Sequence, residues 1–108
     1  MQDVPIRVEV ERSGGFAGIV TRRRADTADL PPEQAGQLRA LVAGVDLAAL
    51  EQRLAAAPPA PAGGADRFQY DVTVHDGEHV HRFSVQDGSV PLELQPLLSG
   101  AMRLGSPA

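Results

Sequence analysis

The hydrophobic positions of this chain recur at two intervals, and each change of interval marks the border of an element. From Pro5 to Arg12, Ile6, Val8 and Val10 alternate with Arg7, Glu9 and Glu11. An interval of two sends successive side chains to opposite faces, so the segment predicts a strand with one buried and one wet face. Ser13-Gly14-Gly15 follows and supplies residues that tolerate a positive φ in a tight connection. A second strand is predicted from about Phe16 to Arg24, with Gly18 as a bulge or a point of close approach. The two make a hairpin.

Asp26 to Leu30 reads as a polar connection, and Pro31-Pro32-Glu33 as a helix start. Proline suits the first turn, and the glutamate suits the positive end of the helix dipole. Leu38, Leu41, Val42 and Val45 then fall at i, i+3, i+4 and i+7, one helical stripe. Asp46 is placed to cap a second segment carrying Leu47, Leu50 and Leu54. Pro58 to Ala65 has loop composition and is expected to be flexible. The interval of two returns with Phe68, Tyr70, Val72 and Val74, followed by a turn at Asp76-Gly77 and a strand from about His79 to Val85. Val90-Pro91 opens a terminal helical region whose main helix starts near Pro96, because proline cannot lie deep inside it. Gly105 to Ala108 are expected to fray.

The order is thus ββ, helices, ββ, helix. It predicts one α+β domain over residues 1–108, with about four antiparallel strands in two hairpins and helices packed on one face of the sheet. Arg7, Glu9, Asp71 and Arg82 on the wet faces leave no room for a second stacked sheet.

Composition narrows the function classes. A chain of 108 residues is long enough for one core, and the lack of cysteine excludes disulfides and thiolate metal sites. A net charge of -4 argues against a nucleic-acid partner. The basic run Arg22-Arg23-Arg24 would alternate faces on a strand, and Asp26, Asp29 and Glu33 lie close behind it. All ten basic residues are arginine, beside abundant Ala, Gly and Pro, which is the usage of a GC-rich bacterial genome. No signal-peptide pattern opens the chain and no apolar run is long enough to span a bilayer, so a cytoplasmic location without membrane contact is expected.

Candidate chemistry is sparse. His79 and His81 share a strand face, with His75 across the turn, but no third ligand is spaced to complete a metal site. They read as exposed hairpin histidines, and no metal or cofactor is expected. None of the serines lies in a nucleophile elbow. Gly14-Gly15-Phe16-Ala17-Gly18 joins two strands, whereas a phosphate cradle leads from a strand into a helix. No catalytic residue emerges, and the chain does not read as an enzyme. Two apolar residues keep two readings each. Phe16, beside the glycine turn, either plugs the core or stands at a tip facing a partner. Leu30, between Asp29 and Pro31-Pro32, either staples the helix start or is presented outward on a braced loop.

Several blocks together resemble the emfourin family. They are Val10-Glu11-Arg12-Ser13-Gly14-Gly15-Phe16-Ala17-Gly18-Ile19, Asp29-Leu30-Pro31-Pro32-Glu33, Asp66-Arg67-Phe68-Gln69-Tyr70, and Val90-Pro91 leading to Gln95-Pro96-Leu97-Leu98. The likeness runs in order from about residue 6 to residue 102, leaving out the Pro58–Ala65 insert and the tail after Leu104. Emfourins are small bacterial proteins that inhibit thermolysin-like zinc metallopeptidases, notably protealysin-like ones. The resemblance therefore implies an inhibitor that blocks the active-site cleft of such a protease and is a monomer when free. It points to Leu30 as the pocket residue, Asp29 or Asp26 towards the protease metal, and Gly14, Gly15 and Phe16 as flanking contacts. The two segments are expected to lie close together, since the second strand leads from one to the other. The alternative class is a non-inhibitory protein-binding module, a chaperone or adaptor for a co-encoded protein.

Overall fold

The computed structural model describes residues 5–14, 20–56, 68–86 and 90–107. Its elements are β1 (Ile6–Gly14), β2 (Thr21–Asp26), α1 (Pro32–Ala43), α2 (Leu47–Ala56), β3 (Phe68–Asp76), β4 (His79–Gln86), α3 (Gln95–Leu104) and β5 (Ser106–Pro107). The α+β class and the single sheet agree with the interval pattern. All pairings are antiparallel, in the order β4-β3-β1-β2-β5. The two hairpins are therefore joined through β1 and β3, which puts β1 in the middle of the sheet.

Register assigns every side chain to a face. Val8 stands opposite Ala25 on β2 and Val74 on β3, and Val10 stands opposite Val72. With Ile6, Phe83 and Val85 they form the apolar face of the sheet. Leu38 and Val42 of α1, Leu47 and Leu50 of α2, and Leu97 and Leu98 of α3 complete one core. The other face carries Arg7, Glu9 and Glu11 on β1, Arg22, Arg24 and Asp26 on β2, Asp71 and Thr73 on β3, and Arg82 on β4. No helix among the described residues covers it.

Local chemistry explains the borders. Asp46 caps α2, its Oδ1 accepting from Ala49 N at 3.1 Å. Gly77 has φ 64° in the Gly77–Glu78 connection of β3 to β4, a backbone conformation that glycine adopts without strain. Leu92–Leu94 form a turn ahead of α3, and Pro96 sits in its first turn, where a missing N–H is harmless.

Three expectations change. β2 runs two residues past Arg24, because Asp26 is still opposite Arg7; the expected connection loses Asp26 to the strand. In the tail expected to fray, Ser106 and Pro107 lie beside Arg24 and Arg23 as a fifth strand. The histidines are not all exposed hairpin side chains. His79 is exposed, but His81 faces the helices and is half-buried, with Nδ1 4.0 Å from Glu51 Oε2 of α2. Glu51 Oε2 also accepts the Arg82 backbone N–H at 2.6 Å, tying α2 to β4. The expected loop at Pro58–Ala65, the Gly18 bulge and the first residues of the second strand lie outside the described residues.

Helix packing gives a direct test of this core. A Cβ on Gly100 of α3 would stand 2.2 Å from Leu41 Cδ1 of α1. The Leu41 tip can turn aside and alanine is the better helix former by about 1 kcal/mol, so Gly100→Ala should keep stability within about 1 kcal/mol in thermal or urea unfolding. Gly100→Leu, too large for that adjustment, should lower it by about 1–3 kcal/mol. An unchanged midpoint in Gly100→Leu would contradict the packing.

Candidate functional site

Of the predicted site residues that are described, those of the turn between β2 and α1 lie in a hydrogen-bonded connection. Its anchor is Thr27, a buried polar residue. Thr27 Oγ1 accepts the Ile6 N–H at 3.1 Å, and the Thr27 N–H donates to Ile6 O at 3.0 Å. Asp26 closes the turn from the other side. Its backbone carbonyl accepts the Asp29 N–H at 2.9 Å, and its Oδ1 accepts the Ala28 N–H at 2.9 Å. Its Oδ2 accepts from Arg7 Nε at 3.0 Å. The Ala28 N–H holds the Asp26 carboxyl below its ordinary range, helped by Arg7 and Arg24 and opposed by desolvation.

This geometry redistributes the predicted roles. Asp29 is exposed, as is Ala28 beside it. Asp26, expected to offer an oxygen to a metal, has both carboxylate oxygens engaged inside the protein. Leu30 is half-buried and packs against the core, so it is not the fully exposed side chain that an outward presentation requires. It occupies the position before the Pro31 cap, and the buried Ala35 stands at the fourth helical position. Those are the two positions of a hydrophobic staple.

The glycine turn is somewhere else. Gly14, with φ 103°, ends β1 opposite Phe68. Gly15 and Phe16 lie outside the described residues. Asp26 is opposite Arg7, seven residues from Gly14 along β1. At ~3.4 Å per residue Gly14 and Asp26 are roughly 24 Å apart. The expectation that the two segments lie close together is overturned for Gly14, which stands at the far end of β1 from the turn.

What does gather around the turn was not singled out in the sequence. Pro5 O accepts the Gly77 N–H at 3.1 Å, bringing the β3–β4 connection to the same end of the sheet. Pro5, Arg7, Asp26, His75 and Gly77 line a shallow concavity there. The opposite charges of Arg7 and Asp26 were a usable signal once the strands were paired. Thr27 gave none, because a threonine in a polar stretch looks like any other. Among the described residues no three of His, Asp and Glu are placed to hold a metal ion. The arrangement offers a hydrogen-bonded backbone and an exposed carboxylate, which suits contact with another protein.

The emfourin family model matches residues 10–102. The chain belongs to the emfourin family. No curated protein and no solved structure matches it. As an emfourin it belongs among proteins described as protease inhibitors, and membership suggests a metalloprotease-inhibitor role. The match covers both the turn before α1 and the glycine turn, so membership by itself does not choose between them.

The brace has a pH signature. Asp26 has a folded value lowered from 3.8. A lowered carboxyl contributes stability above its unfolded value and loses it as pH falls through the folded one. Replacing Asp26 by Ala should lower stability by about 1–3 kcal/mol at pH 7. The difference from the unaltered chain should shrink as pH drops below about 4. Unfolding curves at a series of pH values check this, and a difference that grows towards acid would contradict it.

Proposed function

We propose that this emfourin inhibits a thermolysin-like, protealysin-like zinc metalloprotease by covering its active-site cleft with the turn before α1. The family match over residues 10–102 is the observation that carries the inhibitor reading. The choice of segment rests on rigidity. An inhibitor must keep its backbone in place against an enzyme built to cleave it, and a preordered loop loses little entropy on binding. Asp26, Thr27 and Arg7 brace this turn through five hydrogen bonds. Asp29 then reaches towards the protease metal, and Ala28 and the outer edge of Leu30 meet the adjoining apolar surface. Pro31 and Pro32 fix the backbone that follows.

The test is a titration of a thermolysin-like protease with the purified chain. Activity should fall to near zero around equimolar protein. Asp29→Ala should weaken inhibition roughly 10- to 100-fold, the range of a hydrogen-bonded or metal-directed charge, with no change in the unfolding midpoint. Leu30→Ala should weaken inhibition and also lower stability by about 1–2 kcal/mol, since the side chain is half in the core. Full protease activity at large excess of the chain would refute the reading. Normal inhibition by Asp29→Ala and Leu30→Ala would move the site away from this turn.

A further inference from the structure

The basic run Arg22-Arg23-Arg24 has no part in the proposed inhibitory contact, and its place in the sheet gives it another use. It lies on β2, next to the edge of the sheet. Among the described residues, Arg23 and Arg24 are the residues of β2 met on the outer side, by Pro107 and Ser106 of β5. That cover is thin. Both residues of β5 are exposed, and Pro107 has no N–H to give to a ladder. Arg23 turns to the helix side and donates to Gly105 O at 3.3 Å. Arg22 and Arg24 stand together on the uncovered face and are exposed.

On the inner side the charges already alternate. Glu11 stands opposite Arg22 and Glu9 opposite Arg24, with Arg22 Nε 2.9 Å from Glu11 Oε2. A strand added on the outer side with acidic residues two apart would repeat that pattern, because opposite charges directly across a pair of strands attract. A second copy of β2 on the same edge would set arginine against arginine, which is disfavoured.

We propose that the outer edge of β2 is a strand-addition surface for an extended acidic segment of a protein partner, and that the chain's own Ser106–Pro107 occupies part of it in the free protein. Main-chain hydrogen bonds supply the binding, and Arg22 and Arg24 select the acidic sequence. Deleting Ser106 to Ala108 removes a competitor, while Gly105 keeps its N–H on Ala101 O and its carbonyl on Arg23.

The experiment uses a short fluorescent peptide of alternating Glu and Thr, with a Lys and Thr peptide as control. It needs no protease, so its outcome is independent of whether the chain inhibits one. The full chain should bind the acidic peptide saturably and the basic one not at all, with binding lost at high salt as the charges are screened. Deleting residues 106–108 should tighten binding about tenfold, one decade of affinity, and leave the unfolding midpoint close to that of the full chain. Arg22→Gln with Arg24→Gln should abolish the preference for acid. Equal binding of both peptides, no binding of either, or self-association of the shortened chain in sedimentation would each overturn the proposal.

Discussion

Everything in this fold depends on β1 being paired on both sides and pinned at its first residue. β2 and β3 both run against it over most of its length. At its start, Ile6 exchanges two hydrogen bonds with Thr27, and Pro5 accepts one from Gly77. A buried backbone N–H without a partner costs about 1–3 kcal/mol, so Thr27 cannot drift from that position cheaply. The turn before α1 thereby takes its place from the centre of the sheet. Loops are normally the least fixed part of a domain, and this one is tied to the most fixed part.

The same arrangement separates the two ends of β1 into different surfaces. One end holds the Thr27 turn, the Pro5 segment and the β3–β4 connection. The other holds Gly14 with Phe68, whose ring lies 4.8 Å under the Arg12 guanidinium. A single compact contact with a partner cannot rest mainly on both. The charged face between them is filled by paired side chains, Arg7 with Asp26 and Arg22 with Glu11. Exposed pairs of this kind contribute little to stability; their effect is to keep that face wet and the helices on the other one.

Much of this was legible in the sequence, for identifiable reasons. Intervals of two and of three to four residues gave the strands and helices, since burial on one side enforces them. Asp46 gave the cap of α2, and Pro96 the start of α3. Strand order was not legible, because alternation fixes which face a residue takes and is silent on its neighbours. β5, with two residues, is too short to carry a pattern. His81 looked like an exposed hairpin residue until the register put it opposite Val74 and under α2. Leu30 had two readings that sequence could not separate, and Thr27, three residues past the predicted end of β2, decided between them by pulling the turn onto Ile6. The expected nearness of the helix entry and the glycine turn fails at Gly14, because a strand sets its two ends apart by its own length.

The central claim is that the turn before α1 is the surface that meets the protease. Hydrogen–deuterium exchange on the complex with a thermolysin-like metalloprotease, compared with the free chain, tests it most directly. Backbone amides 27–30 should show the largest gain in protection, with the amides of β3 and β4 beyond the Gly77 connection unchanged. Protection confined to the Gly14 end of β1, with residues 27–30 exchanging as in the free protein, would contradict the account.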